Sequence, residues 1–159
     1  MKHIEYTYTR GMDDAEMDDT LRTTDSGVLA QCHDGEVHAI PLAHYYDGEA
    51  LYFRFGTTDD STKRVPGESS KQVCYTLYDA YSTDDPRELD SWSIVITGRL
   101  VEIPDDEYER FDTAEINDRF APIRVFDEAI EDVDITIVEL EIERMTGRIT
   151  PDSEPAGRR

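Results

Sequence analysis

The stretch Gly27–Phe55 reads GVLAQCHDGEVHAIPLAHYYDGEALYFRF, and its punctuation decides the fold. Asp34-Gly35 and Asp47-Gly48 each supply the positive-φ residue that a tight hairpin turn demands. They divide the stretch into strands over Gly27–His33, Val37–Tyr46 and Ala50–Phe55. Three strands joined by two such turns predict an antiparallel meander. Pro41 is the anomaly in the second strand. It has no N–H to give a ladder, so that side of the strand must face an edge, a bulge or a ligand.

Upstream, Gly11–Thr24 reads as a short helix: Asp13 and Asp14 suit its N-terminus, and Met12, Met17 and Leu21 share a stripe. Downstream, Gly56–Ser70 is polar and irregular. Strands follow over Gln72–Tyr81 and Ser91–Ile103, separated by the acidic segment Ser82–Asp90. Pro104-Asp105-Asp106-Glu107 makes a good first helical turn, with Tyr108, Phe111 and Ile116 as an apolar face. A second short helix is expected over Asn117–Asp132 and a last strand over Asp134–Arg144. Residues 1–149 are expected to form one domain and Thr150–Arg159 a loose tail. Short antiparallel strands with few helices point to a mainly β protein, a small barrel.

Charge restricts the partners. The 159 residues hold 37 Asp and Glu against 16 Lys and Arg, a net charge of -21. That field repels phosphate polymers, so nucleic acid is not an expected partner. The basic residues include only three lysines, Lys2, Lys63 and Lys71. An acidic, lysine-poor surface fits a cell with a salt-rich interior, since molar salt shortens the Debye length to about 3 Å and removes most self-repulsion. No apolar run approaches the ~20 residues of a membrane span, and no signal peptide is read. A cytoplasmic location with reduced thiols is expected; Cys32 and Cys74 are read as core filling.

One segment offers chemistry from its residues alone. Ser61, Thr62 and Lys63 bring two hydroxyls and an ammonium together, with Arg54 and Arg64 near in sequence. Such a group cradles a phosphate, or is an ordinary solvated loop. Among the histidines, His38 and His44 have equal strand parity but lie about 20 Å apart at ~3.3 Å per residue, too far to hold one metal ion. Either one is a candidate proton donor near a ligand.

The order Gly27-Val28-Leu29, Asp34-Gly35, Ile40-Pro41-Leu42, Tyr46-Asp47-Gly48, Leu51-Tyr52-Phe53, Ser61-x-Lys63, Val73 and Trp92-Ser93-Ile94-Val95-Ile96-x-Gly98-Arg99 resembles the pyridoxamine 5′-phosphate oxidase-like superfamily. Within it the chain is most similar to nitroimidazole-resistance flavoproteins. The resemblance runs from about residue 12 to 104, with an echo at Ile142–Arg148. It implies a six-stranded antiparallel split barrel of the FMN-binding type, a homodimer with FMN at the interface, and a small-molecule substrate. It places His38, Ala39, Ile40, Pro41 and Leu42 along the isoalloxazine ring, with the Ile40 and Leu42 backbone on its polar edge. Tyr52, Phe53 and Arg54 would line the ribityl and phosphate side, and Ser61, Thr62 and Lys63 would bind the phosphate. Trp92 and Ser93 would complete the site.

The chain also departs from the true oxidases. Phe53-Arg54 replaces a Thr-Asn pair, Arg64 a leucine, and Trp92-Ser93 an arginine and glutamine. These differences argue against vitamin B6 oxidation. The expected function is an FMN-dependent oxidoreductase. The alternatives are a non-catalytic flavin or haem carrier, a deazaflavin-dependent reductase, and a cofactor-free interaction module.

Overall fold

The computed structural model describes residues 6–33, 35–57, 72–82, 89–120, 129, 131 and 133–151. In chain order the elements are β1 (Arg10–Gly11), α1 (Asp14–Thr23), β2 (Ser26–His33), β3 (Glu36–Ala43), β4 (Tyr45–Tyr46), β5 (Leu51–Thr57), β6 (Gln72–Ser82), β7 (Leu89–Glu102), a 3₁₀ segment (Asp105–Phe111), α2 (Ala114–Arg119) and β8 (Asp134–Ile149). The protein is mainly β, with eight strands where six were expected.

All pairings are antiparallel, in the order β3-β2-β6-β7-β8-β5-β4, with β1 added to β8. The expected meander is corrected here. The second sequence strand breaks at His44: β3 pairs with β2, whereas β4 pairs with β5 at the opposite end of the order. The two ends of the sheet are therefore consecutive pieces of chain. The sheet curls into a barrel joined at this seam by the covalent bend at His44, and the hydrogen-bonded ladder stays open there. That is a split barrel.

Alternation fills the interior. Leu29, Phe53, Tyr75, Ile94, Ile96, Val138 and Leu140 point inward and are fully buried. Each side chain of that size contributes about 1.5–3 kcal/mol when removed from water. α1 closes one end of the barrel with Met17 and Leu21. It starts on a capping box, in which Asp13 accepts from Glu16 N and the Glu16 side chain accepts from Asp13 N, 2.9 Å each. A second, smaller cluster lies on the outer face of β5 and β8. There Tyr52 and Ile137 are covered by Ile103 just after β7, Phe111 of the 3₁₀ segment and Phe120 at the end of α2.

Three boundaries differ from expectation. β8 runs to Ile149, because β7 offers it partners as far as Trp92. α2 begins at Ala114 on the Thr113 hydroxyl, which accepts from Ile116 N at 3.2 Å, and ends before Phe120. Most of the expected Asn117–Asp132 helix lies outside the described residues. Thr150, assigned by sequence to the loose tail, is buried and donates its N–H to Ser91 O at 2.9 Å. Among the described residues, no helix is long and apolar enough to cross a membrane.

Candidate functional site: the seam of the barrel

The register fixes which backbone groups face the seam. His33 and Glu36 close a two-residue turn at Gly35 (φ 84°), so they form a hydrogen-bonded pair. Antiparallel pairs alternate bonded and unbonded. Counting along β3, Gln31–His38, Leu29–Ile40 and Gly27–Leu42 are bonded pairs, and Val28–Pro41 is an unbonded one. The missing Pro41 N–H thus falls where β2 requires none. The main-chain groups of Val37, Ala39 and Ala43, with the Pro41 carbonyl, point away from β2 to the outer side of β3, where the sheet ends.

β5 lies across the seam. β3 approaches it, yet no register links the two. Asp47 N donates to Ala50 O at 3.3 Å, so Tyr45–Tyr52 is a bonded pair. The same alternation turns the backbone groups of Arg54 and Gly56 towards the seam and those of Phe53 and Phe55 towards β8. The barrel therefore presents main-chain donors and acceptors from two strands along one opening.

The sequence-derived site residues distribute unevenly about it. Ala39 and Pro41 are exposed on the β3 edge, and His38 is exposed beside Glu36 at 3.7 Å. Ile40 and Leu42 turn their side chains onto the core. Their backbone groups face β2, and the outward main-chain groups of β3 are those of Val37, Ala39 and Ala43 with the Pro41 carbonyl.

The Phe53 side chain cannot line the opening: it is fully buried, its ring 4.8 Å from that of Tyr75. Tyr52 is buried under the 3₁₀ segment, and its hydroxyl donates to Asp47 at 3.0 Å. Burial and this bond push its pKa up to about 12. Arg54 is half-buried, its guanidinium 4.9 Å from the Phe120 ring and donating to Asn117 Oδ1 at 2.9 Å. Burial lowers its pKa from the ordinary arginine value. Ser61, Thr62 and Lys63 lie outside the described residues.

On β7, Trp92 and Ser93 face opposite ways. Trp92 is a core residue, and its Nε1 is buried without an acceptor. Ser93 faces outward in a row with Tyr78 and Arg148. The cysteines are not core filling: Cys32 is exposed and Cys74 half-exposed. Among the described residues no group of metal-ligating side chains is found.

Sequence reasoning missed the network beneath the seam. His44, the residue at the strand break, is buried with its Nδ1 2.9 Å from Tyr75 Oη and its Nε2 3.2 Å from Leu21 O. Tyr75 Oη also lies 2.9 Å from Leu42 O. Gly27 makes room for that ring: a Cβ there would stand 2.6 Å from Thr76 O and 2.8 Å from Tyr75 Cζ. Only the equal parity of Leu42 and His44 could have signalled that this histidine points inward.

A barrel opened at one seam, with a strand edge presenting main-chain groups there, defines a split-barrel protein. The chain belongs to the pyridoxamine 5′-phosphate oxidase family, whose model matches residues 13–149. No curated protein sequence matches it. Among solved structures it is similar to a candidate 5-nitroimidazole antibiotic resistance protein from Bacteroides thetaiotaomicron (16% identity, 94% of this chain and 95% of that one, TM-score 0.62). It is similar to a FAD-binding protein from Mesorhizobium loti (19%, 91% and 98%, 0.61). It is also similar to a FAD- and haem-binding protein from Mycobacterium smegmatis (16%, 92% and 75%, 0.62). At these identities the likeness establishes the fold.

Proposed function

We propose that this chain binds a flavin, FMN, along the β3 edge of the seam and acts as a flavin-dependent oxidoreductase on a small molecule. The observation that carries this reading is the edge itself, a row of main-chain donors and acceptors at Val37, Ala39 and Ala43 interrupted at Pro41, where only a carbonyl remains. The pyrimidine edge of an isoalloxazine ring alternates acceptors with a donor, so it can pair with such a row as another strand would. When bound, the flavin supplies the electron and hydride chemistry. Ile40 and Leu42 anchor the strand to the core, and Ser61, Thr62 and Lys63 are the phosphate ligands by resemblance. The flavin- and haem-binding structural relatives support the choice of cofactor class.

The second copy of a homodimer fits the outer face of β2, β6, β7 and β8. Two rows across it, Val28–Thr76–Val95–Thr146 and Ala30–Cys74–Thr97–Arg144, contain no carboxylate in a chain with 37 of them. Ser93 lies on this same face and would reach the partner's seam from there.

Purification in molar salt tests the reading. The expected product is yellow and releases FMN on denaturation; a Soret band would mark a haem carrier instead. A deazaflavin would show in the mass of the released cofactor. Colourless protein that takes up no added FMN in high salt would sink the flavin reading. Lys63→Ala is expected to weaken FMN binding at least about tenfold, the loss of one charge-assisted phosphate contact. Anaerobic bleaching by NADH or NADPH, followed by reoxidation with small acceptors, tests the oxidoreductase step.

A further inference from the structure

The bend that leaves the seam open is held by more hydrogen-bonding contacts than it has protons. Three heavy-atom contacts run in series: Leu21 O to His44 Nε2 at 3.2 Å, His44 Nδ1 to Tyr75 Oη at 2.9 Å, and Tyr75 Oη to Leu42 O at 2.9 Å. Both terminal atoms are carbonyl oxygens and can only accept. A neutral imidazole carries one proton and the tyrosine hydroxyl one more. Two protons cannot make three hydrogen bonds. In every neutral arrangement one of the three contacts is unmade: Leu42 O loses the Tyr75 hydroxyl and keeps only its β2 partner, Leu21 O loses the His44 N–H, or Nδ1 and Oη meet lone pair to lone pair.

We propose that this chain of groups is a proton-operated latch: one proton taken up from solvent by His44 completes all three bonds, tying α1, β6 and β3 together at the seam. In the protonated state Nε2–H donates to Leu21 O, Nδ1–H donates to Tyr75 Oη, and the Tyr75 hydroxyl donates to Leu42 O.

The groups facing His44 divide over the charge. Leu21 O belongs to the last turn of α1, where the helix dipole favours a cation. Asp25, whose carbonyl accepts the His44 N–H at 3.0 Å, favours it as well. Arg119 of α2 opposes it, and burial opposes it most. Tyr75 stays protonated throughout, since burial pushes its pKa far up. The ring is therefore neutral at neutral pH and the latch is one bond short.

Leu42 and Ala43 are neighbours on β3, so the latch sets the strand whose outer edge forms the seam. A ligand bound along that edge should feel the His44 proton. This last step rests on the flavin reading above, whereas the latch does not.

Ring ¹⁵N and carbonyl ¹³C NMR on the full chain in molar salt tests the latch. The expected result is that His44 titrates while the fold is intact and both ring nitrogens carry protons on the acid side. The Leu42 carbonyl should shift with the same midpoint. Tyr75→Phe removes the oxygen that accepts from Nδ1–H, and His44 should then titrate at lower pH. A ring that stays neutral in the wild type down to the pH of unfolding would overturn the latch. So would a Leu42 carbonyl that ignores the titration. Neither of these tests needs the variant to fold. Added FMN reads the coupling: its affinity should change across the His44 midpoint in wild type. A titrating latch with pH-independent FMN affinity would overturn only the coupling, and absence of FMN binding at every pH would overturn only the flavin reading.

Discussion

Gly27 and His44 show how single residues fix the seam. Gly27→Ala places a methyl 2.6 Å from the Thr76 carbonyl, a backbone atom that cannot step aside. The expected cost is about 1–3 kcal/mol of overpacking strain, read as a lower midpoint of thermal unfolding; an unchanged midpoint would show that β2 and β6 part easily. For His44 the sign follows from burial, which holds its pKa below the ordinary 6.5. Below about pH 6.5 the unfolded chain binds a proton that the folded chain resists, so stability is full above that pH and declines as pH falls towards the folded value. His44→Asn should flatten this decline between about pH 7.5 and 5.5, and an equally steep decline in the variant would assign it to other groups. At this scale the sequence was partly legible. Pro41 announced an edge because its chemistry is local. The inward turn of the Phe53 and Trp92 side chains was not legible, because a motif match names residues without saying which way a strand turns them. Tyr75 carried no signal, since its partners are 31 and 33 residues away.

Among the elements, those bounded by turn chemistry were the readable ones. Asp34-Gly35 and Asp47-Gly48 placed β2, β3 and β5 within a residue or two, whereas the split of one strand into β3 and β4 depends on which partner each half finds. The same holds for β8, whose last five residues are strand because β7 is there to pair with them. The 3₁₀ segment with α2 is held by several contacts, among them the Tyr108 hydroxyl on Ile137 N and Arg119 on Arg22 O. It packs on β5 through Phe111 and Phe120, and Arg54 pins it by stacking on Phe120 and bonding Asn117. Arg54→Met keeps the apolar stem but removes the charge-assisted bond and the cation–π contact. The expected loss is about 1–3 kcal/mol, with faster hydrogen exchange confined to residues 105–120. If Arg54 acts mainly as a phosphate ligand, the variant will instead keep apo stability and lose FMN affinity.

On the scale of the whole molecule, the net charge of -21 dominates every local ion pair. Pairs such as Arg10–Glu16, Arg22–Asp18, Arg99–Glu143 and Arg110–Glu107 lie at the surface, where solvent screening leaves each of them little to contribute. Salt weakens these attractions and the far more numerous repulsions alike. The repulsions win the count, with 37 acidic side chains against 16 basic ones. Stability should therefore rise with added KCl, by several degrees in the thermal midpoint between ~0.1 M and 1 M, because 1 kcal/mol moves a domain of this size by about 2–4 °C. Screening has a shape as well as a sign. The Debye length falls from about 10 Å to about 3 Å over that range, so most of the gain should come early and then level off. A continued linear rise above 1 M would point to exclusion of salt from the surface instead. The proposed dimer sharpens the test, since pairing two such chains would double the charge on one body while covering the two rows that lack carboxylates. Val95→Glu on that face should yield monomers at low salt, with dimers partly restored by molar KCl. A monomeric wild type at every salt concentration would remove the dimer from the argument and leave the screening of a single chain.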